Sequence, residues 1–571
     1  MSKIIQPLLL SALTAVVATP LTVFSAEPES GVKAYINGNI YTGSGNGKYV
    51  RSLIIEDGKF NYVGKEALAA ISKADDIKVI DLKGKTVVPG LYDSHIHPVG
   101  AGEKLLFECN FSQQAGLDEI LSAVEKCAAT IPAGNWIQGG SWGAELLNEA
   151  SAESLARLDR ASAGRPVILT DFSHHNIWAN SEAIRLSGAT VSSTEKYGDL
   201  VVKTSDGSLS GFFLEQAGGA VRDAAPSRTA NDYKLAAQHA INELNKVGII
   251  GVKDSYVFDK EYKAWKQLDD EGKLTANVAL SWGWPSASGM SQEEKQAAFL
   301  KMTKPSSGHL NAGFAKMSLD GIPPTKTAAM LAPYNPAEKE ILGTLNYSEK
   351  VLATTLIWLD EQGYTTQVHA VGDRAARTML NAVEKVRKIR GNSGLRHEIA
   401  HACIVDPADI PRFAELDVIP NFSPIFWYPS PIQNGLEAIL GKERATRNCE
   451  MKTLSDNGSN PTGGSDWPVS ADVNPWKAME SMVTRKDPNG LRADETLWPE
   501  QRVTIEQALK MYTINGAMAQ RIEKNSGSIE VGKSADMLIL NQNIFTIAPE
   551  DIGETQVIET LFEGKTVYKQ Q

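Results

Sequence analysis

No basic run occurs anywhere in the 571 residues, and the net charge is −11. That argues against nucleic acid as a partner. No repeat or low-complexity tract is present. After the first 26 residues, no stretch is apolar enough to span a bilayer. No glycine-rich dinucleotide loop follows an early strand, which counts against an open doubly wound sheet. Cysteines number four and histidines nine.

The first 26 residues differ from the rest. Lys3 precedes "IIQPLLLSALTAVVATPLTVFSA", and the acidic "EPES" follows. A positive charge, an apolar stretch and small residues before a cut site describe a secretory signal at 1–26. Pro7, Pro20 and the lack of a following positive flank set it apart from an uncleaved anchor, and without a cysteine it carries no lipid. The expected location is periplasmic or secreted, with no stable membrane anchor after cleavage. That compartment is oxidising. Cys109 and Cys127 flank a segment with a helix expected from Leu117. They are read either as a disulfide or as two buried thiols, and Cys403 and Cys449 as free.

The chain ends share a texture. "AYINGNIYTG", "SLIIEDGKFNYVG" and "KVIDLKGKTVVPG" near the start, and "GSIEVGKSADMLILN" and "VIETLFEGKTVYK" near the end, are short apolar clusters cut by turns. They predict a discontinuous β-sandwich from 27–86 and 523–571. Between them, strand-like pieces alternate with helix-like ones such as "DRAARTMLNAVEKVRKIRG", the signature of parallel βαβ units. About eight units predict an α/β fold of the (β/α)8 barrel type over 87–522, with an insertion at about 100–235.

"GLYDSHIHPVG" puts His95 and His97 one residue apart. In extended backbone such side chains point the same way and can grip one ion; a lone pair of this kind also occurs on surface loops. The rest of the chain decides. Lys316 in "GFAKMSLDG", His369 in "TTQVHAVGD", His401 in "HEIAHA" and Asp466 in "PTGGSDWP" each fall at or near the end of an expected strand, and barrel strand ends converge. Imidazole and carboxylate donors suit zinc or another divalent ion. His397 lies about 13 Å from His401 along a strand, so it is structural. His239 and His309 are read as structural too.

The words "VVPGLYDSHIHP", "GSLSGFFLEQA", "VHAVGDRA", "RHEIAHA", "GSDWPV", "YTINGAMA" and "GSIEVGKSADMLIL", in this order over nearly everything after the signal, resemble the amidohydrolase superfamily, in particular its YtcJ-like branch with the N-substituted formamide deformylases. The resemblance implies one or two ions. His95, His97 and Asp466 would hold one, His369 and His401 the second, with Lys316 bridging them if carboxylated. Unmodified, Lys316 would be cationic and repel metal; it would then be a structural lysine paired with Asp320. Glu215 is the alternative bridge. Where relatives often have glutamate before the strand-six histidine, this chain has Ala400, with Glu398 nearby.

His175 matches an "H…NS" word completed by Asn180 and Ser181; it lines the pocket or is structural, like His174 beside it. Glu215, Asp254 and Arg485 are further substrate-binding candidates by position. The implied reaction is hydrolysis of a carbon–nitrogen bond in a small molecule by a metal-activated hydroxide, with Asp466 carrying the proton. A lactonase, esterase or phosphotriesterase on the same barrel, or a non-catalytic periplasmic binding or regulatory protein, are the rivals. A homodimer is left open.

Overall fold

The computed structural model describes residues 31–44, 49–65, 77–172, 175–287, 289–334 and 341–571. The signal segment and His174 lie outside them. No helix among the described residues is long and apolar enough to cross a membrane.

Eight parallel strands form the central sheet: β1 (Leu91–Ile96), β2 (Ile249–Val257), β3 (Asn277–Gly283), β4 (Leu310–Ser318), β5 (Thr365–His369), β6 (Glu398–Ala400), β7 (Ile419–Phe422) and β8 (Thr462–Gly463), paired in sequence order. The sheet curls into a nearly closed barrel. At the seam the backbone just beyond β8 meets β1. Asp466 N donates to His95 O at 2.8 Å, and His97 N donates to Trp467 O at 2.9 Å. Gly464 is required there, because an added Cβ would lie 2.7 Å from His95 N.

The barrel strands are covered on both faces: eight of the nine residues of β2 are buried, Lys253, Asp254 and Ser255 among them. The helices show one apolar face each. Helix Asp373–Arg390 buries Ala375, Ala376, Met379, Leu380, Val383 and Val386 against the barrel, and Arg387, Lys388 and Arg390 in its last turn oppose the helix dipole. Helix Glu349–Glu361 starts at Ser348, whose side chain accepts from Val351 N.

The two chain ends build one small domain of two sheets around a shared core that includes Tyr35, Leu53, Phe60, Val87, Met537 and Leu561. Strand Thr86–Pro89 pairs antiparallel with Met537–Leu540, joining the first segment to the last. Lys33 Nζ donates to Gly564 O at 3.2 Å.

Between β1 and β2 the chain forms a separate five-stranded sheet within Ile137–Phe213, with its own core. The helices at its two ends, Pro98–Phe107 and Ala230–Lys246, pack so closely that a Cβ at Gly102 would sit 2.0 Å from Ala236 O. Cys109 and Cys127 are disulfide-bonded with Cα atoms 5.9 Å apart, and Cys403 and Cys449 are free.

Candidate metal centre

β1 delivers His95 with 1% of its surface exposed. Asp93, two residues earlier and buried, braces the seam: its carboxylate accepts from His95 N at 3.1 Å and from Ser465 N at 3.0 Å. The strand then ends, and His97 caps helix Pro98–Phe107. From the far side of the seam comes Asp466. Its Oδ1 is 3.4 Å from His95 Nε2 and 3.3 Å from His97 Nε2, and its Oδ2 is 3.9 Å from His401 Nε2. The rings of His401 and His369 stand 4.8 Å apart between centroids. Lys316 Nζ, on β4, lies 3.5 Å from His95 Nε2. All six ligand candidates therefore meet at the strand C-terminal ends.

The spacing fits a cation. Two donors each at about 2.1 Å from a tetrahedral ion lie roughly 3.4 Å apart, which is the separation of Asp466 Oδ1 from the first two imidazoles. His95, His401 and Asp466 offer ligand atoms that all lie within 4.8 Å of one another. Two of the candidates hold backbone strain: His401 has φ +60° and Asp466 φ +57°, a region that non-glycine residues rarely adopt. Such strain persists where the surroundings over-determine it, as at functional sites.

The electrostatics favour metal donors. Burial, with the Lys316 charge and neighbouring imidazoles, holds His95 and His369 well below the ordinary histidine value. Burial pushes His401 down to about 4 against the pull of Asp466. Neutral imidazole keeps the lone pair that a metal needs. Burial raises Asp466, but the hydrogen bond with His97 and the charges of His401, His97 and Lys316 outweigh it, so the carboxyl sits below its usual range. Burial pushes Lys316 down to about 7 despite Asp466 and Glu398. Its amine is then neutral in a large fraction of molecules near neutrality, the form that reacts with carbon dioxide.

Four candidates have other surroundings. His175 Nδ1 and Glu215 Oε2 pair at 2.8 Å on the insertion, whereas the barrel histidines 95, 97, 369 and 401 pair with Asp466 and Asp320. Asp254 lies on β2 and is buried. Lys253 and Ser255 on either side bond residues across the barrel interior, so Asp254 faces the helix layer and accepts from Trp265 Nε1 at 2.9 Å. Arg485 is fully buried, its Nε donates to Leu497 O at 2.9 Å, and its terminal nitrogens are shut off from solvent.

Other residues complete the surroundings. Asp320 does not pair with Lys316. It accepts from Ala329 N, Val371 N and Gly372 N at 2.9–3.0 Å and reaches His369 Nε2 at 3.8 Å. Glu398 pairs with the buried Lys253. Asp93 had no role in the sequence reading, although the period-two register of "YDSH" puts it on the same side as His95.

The amidohydrolase family matches residues 78–568. An N-substituted formamide deformylase of Arthrobacter pascens is 27% identical over 94% of this chain and 98% of its own length. YtcJ of Bacillus subtilis (strain 168) is 27% identical over 93% and 98% respectively. Among solved structures, an uncharacterized metal-dependent hydrolase from Pyrococcus furiosus is 26% identical, with TM-score 0.69, over 90% of this chain and all of that one.

Proposed function

This chain belongs to the amidohydrolase family, and from that premise we propose that it hydrolyses a carbon–nitrogen bond of the amide or N-substituted formamide type. The observation that carries the reading is the convergence of four imidazoles, one carboxylate and one desolvated lysine at the barrel's C-terminal face. The deformylase kinship over nearly the full length supports the choice of bond.

His95, His97 and Asp466 would hold one divalent cation, zinc or a similar ion, and His369 and His401 a second. A cation there supplies a nucleophile from water near pH 7 and polarises the substrate carbonyl. Lys316 joins the set as a carbamate: its neutral amine adds to carbon dioxide, a nitrogen–carbon bond forms as one carbon–oxygen π bond opens onto oxygen, one N–H proton leaves to water, and the neutral amine becomes an anionic ligand. Asp466 faces three imidazoles through its two oxygens. It accepts the proton from the attacking water and passes it to the departing nitrogen. His95 is buried, which keeps bulk water from the floor of the site. The Cys109–Cys127 disulfide supports an oxidising compartment, periplasmic or secreted.

The test is a panel of N-substituted formamides, amides, lactones and phosphotriesters with chelated and metal-restored protein. Expected are metal-dependent cleavage of the carbon–nitrogen substrates and elemental analysis giving one or two ions per chain. Turnover confined to lactones or phosphotriesters would overturn the choice of bond. Protein that purifies without stoichiometric metal and cleaves nothing would overturn the enzyme reading.

A further inference from the structure

Beneath the ligands, the barrel is plugged by polar side chains rather than by branched apolar ones. Lys253, Ser255, Gln367 and Glu398 are fully buried, and Lys316 is 3% exposed. They come from β2, β5, β6 and β4. Lys253 Nζ bonds Glu398 Oε1 and donates to Ala519 O at 2.7 Å, and it lies 4.4 Å from the Phe314 ring centroid. Its charge is thus matched within the plug.

Gln367 stands between this pair and Lys316. One end of its amide lies 3.0 Å from Ser94 O and 3.1 Å from Glu398 Oε2. The Ser94 carbonyl can only accept, so that end must be the NH₂. The carbonyl end is therefore fixed as Oε1. It accepts from Ser255 Oγ at 2.7 Å and faces Lys316 Nζ at 3.5 Å. Turning the amide over would set its oxygen against two acceptors, at a cost of two hydrogen bonds in a dry interior. On its other side Lys316 Nζ faces His95 Nε2.

We propose that Gln367 is the positioning residue for Lys316, locked in orientation by Glu398 and Ser94; this rests on the carbamate reading above. When the amine adds to carbon dioxide, the nitrogen loses one proton and keeps one. The retained N–H needs an acceptor in this interior, and Gln367 Oε1 is placed to take it. The carbamate is planar, so fixing its N–H fixes the plane and turns both oxygens away from the plug. They then face the His95 side, where the metal donors converge. Lys253 contributes by holding Glu398 so that it neither captures Lys316 nor releases the amide.

The test uses the full chain loaded with ¹³C-bicarbonate and metal. The readouts are the carbamate ¹³C resonance per folded chain and the metal affinity. Gln367→Leu removes the acceptor and is expected to lose the resonance and weaken metal binding about 10–100-fold, the usual effect of a partner behind a ligand. Ser255→Ala removes a different partner of the same oxygen and should keep both, whereas general damage to the plug would lower both in either variant. If Gln367→Leu does not fold, Gln367→Met keeps the side-chain length, removes the same acceptor and is expected to show the same loss. A full resonance and unchanged metal affinity in the Gln367 variant overturn the proposal while leaving the carbamate reading intact. Wild-type protein with no carbamate resonance overturns both.

Discussion

Replacing Asp466 by asparagine separates metal holding from proton transfer. Asparagine keeps an oxygen that can sit at Oδ1, 3.4 and 3.3 Å from His95 and His97 Nε2. It loses the charge and the ability to take a proton. The wild-type carboxyl sits below its ordinary value, so it is ionised and ready as an acceptor at neutral pH. Placed general acid–base groups contribute about 10²–10⁴-fold, or about 2.7–5.4 kcal/mol of barrier at 1.36 kcal/mol per decade. Asp466→Asn should therefore lower kcat on an N-substituted formamide by two to four decades while retaining much of the bound metal. Turnover and elemental analysis are measured on the same preparation. Near-normal turnover would refute the proton role whatever the metal content. Parallel loss of rate and metal would reduce Asp466 to a ligand alone.

Gly464→Ala would push a Cβ within 2.8 Å of His95 Cβ, so the seam must open. Metal titration should show weakened binding, and thermal melting a loss of about 1–3 kcal/mol. Reducing the Cys109–Cys127 bridge, which spans 18 residues, should cost roughly 3 kcal/mol by loop-closure entropy; denaturant melts with and without reductant measure it. Burial, with Glu550, Glu554 and Asp551 nearby, raises Glu480 to about 7. The folded form therefore holds its proton more tightly than the unfolded chain, and wild-type stability falls as pH rises from about 5 through 7. Glu480→Gln keeps the acceptor for Gly553 N and should be more stable by roughly 1–3 kcal/mol at pH 8, with the gain vanishing near pH 5. A gain that does not change with pH would refute the cause.

The candidate ligands were legible because each sits in a short word at a strand end. The barrel itself brings "DSHIH", "VHAVGD", "HEIAHA" and "GSDWP" together, so no long-range pairing had to be guessed. The β-rich texture of both chain ends was legible for a similar reason, since turns punctuate it. The plug was not. Lys253, Gln367 and Glu398 lie on three strands, and their pairing depends on which way each strand faces. A strand such as β2, buried on both sides, has no polar alternation to reveal that. On β2 it is Lys253 and Ser255, the neighbours of Asp254, that bond across the barrel interior. Arg485 follows helix Pro475–Thr484 in a left-handed turn with φ +58°, a bend that spacing along the chain does not disclose. β8 is only two residues long, because loop backbone and Asp93 complete the closure where a longer strand was expected.

The bond from Lys33 to Gly564 links residues 531 apart in the chain, and this has a consequence for biosynthesis. At about 5–20 residues per second, a ribosome needs roughly 30–100 s to travel between them. Throughout that interval the strand Thr86–Pro89 has one edge without its eventual neighbour. An open edge of this kind invites pairing with another nascent chain. The small domain can be completed only after the catalytic barrel has emerged, so the last segment made acts as the fastener of the first. Polysome crowding and holding chaperones should therefore affect the yield of this protein more strongly than its final stability would suggest.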